Sequence, residues 1–197
     1  MSAITISPLR EEDIPTVAKL HAAELQYSLN SRLGPQHLAS VYRAMAKIPD
    51  CYIGVALDNN VPVGVVSGAV DVKKVKPAVL RSLGLLGCLR FAARLLITPS
   101  AFAALLSESK SRPPVVAEGK EIDACLTAIA VAASHRRKGL ASQLVTALED
   151  FFRARGVSHY WLDTVLENTG ARSFYQSIGF TEVMEVGKTV VLLKRLK

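Results

Sequence analysis

The residues best placed for chemistry lie in one polar turn, Ser134-His135-Arg136-Arg137-Lys138-Gly139, set between two apolar stretches. Before it, Leu126 to Val131 is rich enough in Leu, Ile and Val to be a buried strand. After it, Leu140, Leu144, Ala147, Leu148 and Phe151 recur at three- and four-residue spacing, as on one face of a helix. A strand, a basic turn with a glycine and a helix start together make a site for an anion. The first amides of a helix lack intrahelical partners and carry the positive end of its dipole. Gly139 can take positive φ or admit an oxygen against bare backbone, and Ala141 stays small where a phosphate must come close. Arg136, Arg137 and Lys138 would add charge-assisted hydrogen bonds to that phosphate. The turn is not a Walker loop, because no Gly-Lys-Ser/Thr follows at the required spacing. It is not a dinucleotide fingerprint either, because the Gly-x-Gly pair is missing.

Two spacings together carry a family resemblance. Arg136-Arg137-Lys138-Gly139-Leu140-Ala141 is similar to the Gln/Arg-x-x-Gly-x-Gly/Ala turn of the GNAT superfamily of N-acetyltransferases. One helix and one strand later, the stretch from Asn168 to Phe180 resembles that family's other signature, Asn-x-x-Ala-x-x-Phe-Tyr-x-x-x-Gly-Phe. The resemblance implies a mixed α/β fold: a central twisted mixed sheet flanked by helices, as a single domain over residues 1–197. It also implies transfer of an acetyl group from acetyl-coenzyme A to a primary amine of a small-molecule or protein acceptor, by direct attack in a ternary complex. In such a site the backbone of Ile129, Ala130 and Val131 would pair with the pantetheine arm. The turn from Arg136 through Arg137, Lys138, Gly139, Leu140 and Ala141 to Ser142 would hold the pyrophosphate. Asn168 and Ser173 would reach the cofactor from the facing helix.

Tyr175 matches the family position whose hydroxyl protonates the departing thiolate. A phenol with an ordinary pKa of about 10 is protonated at neutral pH and suits that role. For the base, the resemblance points to Asp123, six positions before Ile129. Glu121, two residues earlier on the same strand face, is the alternate. His21 and Glu24 on the first helix are weaker candidates. Two other classes remain open: a non-catalytic module that senses acetyl-coenzyme A, and an acyltransferase using longer acyl-coenzyme A or acyl-carrier donors. No metal is implied.

These side chains need elements to position them. Ala3 to Ile6 alternates as a first strand does, and apolar residues from Ile14 to Leu25 form one face of a helix. Pro35 starts a second helix, about Gln36 to Lys47. Tyr52 to Leu57 and Val61 to Val70 read as strands joined by the hairpin turn Asp58-Asn59-Asn60. Residues 71–120 read as a helical insertion before the central strand, with one pattern over 79–97 and another over Ala101 to Leu106. Glu121 to Val131 is the expected central strand and Val157 to Asp163 the next. A last strand, Thr189 to Leu193, is expected at the sheet edge.

Composition bounds the rest. A chain of 197 residues, half of them hydrophobic, suits one domain with a substantial core. The net charge of +7 fits a polyanionic cofactor, but no basic run is interleaved with aromatics, so nucleic acid is not an expected partner. Cys51, Cys88 and Cys125 are scattered and odd in number, which suits a reducing compartment, and the start carries no secretory pattern. A cytoplasmic location follows as the expectation. Arginines interrupt every apolar stretch of a length to cross a membrane. Membrane-surface contact through 79–97 is a lesser alternative to packing over the sheet, and a homodimer is left open.

Overall fold

The computed structural model describes residues 4–26, 28–97 and 113–196. Strands β1 (Thr5–Pro8), β2 (Cys51–Asp58), β3 (Val61–Ala69), β6 (Cys125–Val131), β7 (His159–Val165), β8 (Thr181–Val186) and β9 (Thr189–Arg195) make one seven-stranded mixed sheet in the order β1-β2-β3-β6-β7-β9-β8. β4 (Val116–Ala117) and β5 (Lys120–Glu121) form a separate small hairpin. All pairings in the large sheet are antiparallel except β6 with β7, which run parallel. The turn at Asp58-Asn59-Asn60 holds as expected, with Asn59 and Asn60 both at positive φ.

Side-chain alternation splits the core into two layers. On one face, Val66, Leu126 and Leu162 pack under helix α5 (Leu140–Arg153) and helix α6 (Thr169–Ser177), with Leu144, Leu148, Phe152, Tyr175 and Phe180. On the other, Ile53, Val55, Val65 and Ala130 pack under α1 (Ile14–Glu24) and α3 (Pro35–Met45), linked by the short α2 (Leu29–Arg32). Farther along that second face, Cys125, Trp161 and Val191 are covered by Val115, with Val72 and Ile122 against them. The described residues Val72, Val75, Val79, Val115 and Ile122 of the segment between β3 and β6 therefore lie on the α1/α3 face, opposite the α5 helix. Its long helix α4 (Val75–Ile97) begins with Val75 and Val79 against the α1/α3 core. Gly84, at φ 63° and ψ −179°, breaks α4 within its length. The helical pattern expected over Ala101 to Leu106 lies outside the described residues. No helix among the described residues is long and apolar enough to cross a membrane.

Two expectations need correction. The central strand starts at Cys125, not at Glu121. Glu118 and Gly119, both at positive φ, turn the chain so that Glu121 pairs with Val116 in the small hairpin. The sheet edge is β8, because β9 is taken up between β7 and β8.

Candidate active site

β6 and β7 meet at one pair of residues, Cys125 and Trp161, supported by the Trp161 amide donating to the Ala124 carbonyl at 3.0 Å. Past that point β7 keeps pairing with β9 as far as Val165, while its pairing with β6 stops. The two parallel strands part there. The parted half of β6 is also more open: Ala128, Ile129 and Val131 are half-buried, whereas Cys125 and Leu126 are buried. β6 is bulged as well, since Ser67 faces Ala128 while Gly68 faces Leu126, leaving Thr127 as the extra residue. The Thr127 and Ser67 hydroxyls share a hydrogen bond at 2.8 Å on the α1/α3 face. The backbone edge of Ile129, Ala130 and Val131 thus lines a wedge-shaped opening able to accept an extended ligand.

The basic turn sits at the wide end of this wedge. A short 3-10 turn, Ala133–His135, leads out of β6, Arg136 is extended, and Arg137 and Gly139 are both left-handed, at φ 61° and 74°. A non-glycine residue in that region carries roughly 1 kcal/mol or more of strain, so the Arg137 conformation is imposed by its surroundings. Gly139 starts α5 with no side-chain cap on its first amides, and a Cβ added at Gly139 would meet nothing within 4 Å. The amides of Leu140, Ala141 and Ser142 therefore open on unfilled space at the positive end of the α5 dipole. Arg137 and Lys138 are exposed beside them.

Arg136 behaves differently from its neighbours. Its guanidinium is ion-paired with Glu24 of α1 and donates to the Val131 carbonyl at 3.2 Å. Glu24 also accepts from the Ala133 amide at 3.2 Å. His135 is tied to Asp58 at 3.0 Å. These four side chains brace the turn against α1 and the β2–β3 hairpin.

Tyr175 comes from α6, whose Asn168 cap accepts from the Ala171 amide at 3.1 Å, so the Asn168 oxygen is committed to the helix. Ser173 is exposed on the same helix. The Tyr175 ring is buried against Phe174 and Phe180, at centroid distances of 5.3 and 5.5 Å. Burial pushes its phenol above the ordinary value, and Asp163 of β7 and Cys125 of β6 add to that rise. Residues from both parting strands thus act on the hydroxyl, which stays protonated at neutral pH.

The expected bases are not brought to this opening. Asp123 precedes β6 and lies before the Cys125–Trp161 joint, and its carboxylate binds Lys73 at 2.8 Å. Glu121 holds the same ammonium at 3.0 Å from the small hairpin. Together they fasten that hairpin to the start of the inserted segment. A carboxylate that the sequence did not single out stands beyond the joint instead: Asp163, exposed on a β7 whose preceding residues, Tyr160, Trp161 and Leu162, are buried. Its signal was a single charged residue in an apolar run, easily passed over as the end of a strand.

His21 is also removed from candidacy as a surface base. It is buried on α1, hydrogen-bonded through Nδ1 to the Tyr42 hydroxyl at 2.7 Å, with no partner for Nε2. Burial lowers its pKa from 6.5 to about 4. The ring is neutral in the folded chain and protonated in the unfolded chain below 6.5, so its contribution to stability is complete above that pH. As pH falls from 6.5 to about 4, stability drops by roughly 3 kcal/mol. Urea denaturation at pH 7.5 and pH 5 should show this loss in the wild type and a much smaller one in His21→Gln. Equal losses in both would place the titration elsewhere.

Comparison with known proteins agrees with this geometry. The acetyltransferase (GNAT) family model matches residues 18–180. The chain is 38% identical over 61 residues to a ribosomal protein bS18-alanine N-acetyltransferase of Haemophilus ducreyi, covering 31% of this chain and 42% of that one. It is 41% identical over 56 residues to an aminoglycoside N(6′)-acetyltransferase type 1 of Klebsiella aerogenes, covering 28% and 37%. The matches thus span less than half the length of these curated relatives. Among solved structures, the PaiA N-acetyltransferase of Thermoplasma acidophilum in complex with coenzyme A superposes with a TM-score of 0.63. Its identity is 14%, over 98% of this chain and 99% of that one.

Proposed function

Because the chain belongs to the acetyltransferase (GNAT) family, we propose that it moves an acetyl group from acetyl-coenzyme A to a primary amine of a small-molecule or protein acceptor, by direct attack in a ternary complex. The observation that carries this reading is the opening between β6 and β7 beside the uncapped start of α5. The free backbone edge of Ile129, Ala130 and Val131 would take the pantetheine amides as a strand takes its neighbour. The amides from Arg137 through Lys138, Gly139, Leu140 and Ala141 to Ser142 would hold the pyrophosphate, with the Arg137 and Lys138 side chains adding charge. Arg136 would act indirectly, by fixing the turn through Glu24.

Once the thioester carbonyl is attacked, Tyr175 would hand its proton to the departing thiolate. A carbonyl oxygen held near the parted edge of β6 would receive backbone N–H donation as negative charge develops on it. The acceptor would enter from the α1/α3 face, against which Val75 and Val79 of α4 also pack.

The test is calorimetric titration with acetyl-coenzyme A, followed by thiol release across a panel of amines. Gly139→Val forces a β-branched residue into the left-handed region and fills the space above the turn. Its affinity for acetyl-coenzyme A should fall by at least about tenfold, roughly 1.4 kcal/mol. Since a Cβ at that position meets no protein atom within 4 Å, an unchanged affinity would remove the turn from the cofactor site.

A further inference from the structure

The α1/α3 face of the sheet has a gap in its cover among the described residues, and two hydroxyls floor it. Ala130 of β6 and Val65 of β3 pack under α1 and α3, whereas Cys125 at the other end of β6 packs under Val115. Between those patches lies Thr127, exposed in the midst of the central strand. The bulge puts it there, because Ser67 faces Ala128 and Gly68 faces Leu126, which makes Thr127 the added residue on this face. Its hydroxyl meets that of Ser67 at 2.8 Å, and neither makes another side-chain hydrogen bond among the described residues. Two hydroxyls joined by one hydrogen bond keep one proton to spare. Ser67 is only 2% exposed, so a spare proton on it would be an unsatisfied buried donor. The arrangement that avoids this has Ser67 donating to Thr127 and Thr127 presenting its own O–H outward. Accepting one hydrogen bond also polarises the O–H that the same oxygen offers.

We propose that Thr127 is a specificity-determining residue, whose O–H donates to an oxygen that the acceptor carries two carbons from its nucleophilic nitrogen. This inference rests on the acetyl-transfer reading above and narrows its acceptor. In that reading the pyrophosphate lies at the turn after Val131, and the pantetheine arm runs back along Val131, Ala130 and Ile129. The acetyl group then ends beside Ala128 and Thr127, at the closed end of the wedge, short of the Cys125–Trp161 joint. An acceptor entering through the gap passes the Thr127 hydroxyl on its way to the thioester carbon. An N–C–C–O unit spans about 3 Å and a hydrogen bond adds about 2.8 Å. The sum matches the roughly 6 Å of strand between Ile129 and Thr127. That unit is common to α-aminoacyl groups, where the oxygen is a carbonyl, and to vicinal amino alcohols, where it is a hydroxyl. A plain alkylamine brings only methylene to the same place and leaves the Thr127 donor unpaired once water is displaced.

The experiment measures thiol release by the full chain with alaninamide and ethanolamine as oxygen-bearing amines, and with propylamine and spermidine as amines without oxygen. Each amine is compared with itself between wild type and variant, so differences in amine basicity cancel. Thr127→Val keeps the branched shape and removes the donor. It should lower kcat/KM about tenfold on alaninamide or ethanolamine and change it little on propylamine and spermidine. Whichever of the first two falls further names the oxygen as carbonyl or hydroxyl. Thr127→Ser should restore the selectivity. Ser67→Ala should show part of the loss, since Thr127 then keeps its proton but not its orientation. Affinity for acetyl-coenzyme A should match the wild type in all three variants. Equal losses on all four amines would make the hydroxyl pair a structural element and overturn the proposal. So would an unchanged Thr127→Val, or a wild type that uses only the amines without oxygen. A wild type that binds acetyl-coenzyme A yet transfers to none of the four overturns the acetyl-transfer reading, and the proposal with it.

Discussion

Tyr175→Phe should slow acetyl transfer by about 10²–10⁴-fold while leaving the fold and the affinity for acetyl-coenzyme A in place. The substitution removes one oxygen from a ring that packs through its faces and edges. The contacts to Phe174 and Phe180 are made by carbon atoms and survive in phenylalanine. What is lost is a neutral acid. Burial and the nearby Asp163 hold that proton on the phenol, so it is available at neutral pH to a thiolate leaving between β6 and β7. Thiol release should therefore collapse in kcat, with the calorimetric binding curve unchanged. A Phe variant that turns over at the wild-type rate would reduce Tyr175 to a core aromatic.

The second large effect is on stability. Glu149→Ala should destabilise the protein by about 3–5 kcal/mol, because it removes the one anion from a buried cluster. Glu149 is buried on α5, where it accepts from the Tyr160 hydroxyl at 2.6 Å and binds Lys194 at 2.6 Å and Arg153 at 3.2 Å. Removing the carboxylate leaves the Lys194 ammonium and the Tyr160 hydroxyl facing each other in a low-dielectric layer. The cluster joins α5 to β7 and β9, so it also sets how the α5 start is held relative to the far wall of the wedge. Urea denaturation should show the loss. The double change Glu149→Leu with Lys194→Met should recover much of it, since neither charge is then stranded. A single variant within about 1 kcal/mol of the wild type would mean that water reaches the site.

Local chemistry made much of this legible in the sequence. Asn59 and Asn60, Gly139, Gly156 and Gly179 all take the positive φ that their residue types allow, and Asn168 caps its helix with a side-chain oxygen suited to that position. Each of those signals depends on a few consecutive residues. Glu121 was misplaced because two residues of apolar and charged alternation look the same in a long strand and in a small hairpin. Only the turn at Glu118 and Gly119 decides between them. The bulge at Thr127 was hidden because it is defined by β3, sixty residues away in the chain. Asp163 was hidden for the same reason. Its place at the opening comes from which face it shares with Trp161 and from where β6 departs, and neither is written in its neighbours. Arg136 looked like a phosphate ligand by type and spacing, but Glu24 on α1 claims it.

Because Cys125 and Trp161 form the one pairing between β6 and β7 among the described residues, the sheet is two half-sheets, of four strands and three, joined at a single rung. Under the proposed function, the donor molecule would lie along the seam and bond to the edge that the protein leaves open. A ligand that binds only the folded chain raises its stability by mass action, about 2.7 kcal/mol when present at a hundredfold excess over its dissociation constant. The seam would then be closed where acetyl-coenzyme A is plentiful and open where it is scarce. Resistance to proteases would rise and fall with the supply of acetyl-coenzyme A, so the abundance of the enzyme would follow its own donor without any separate regulator.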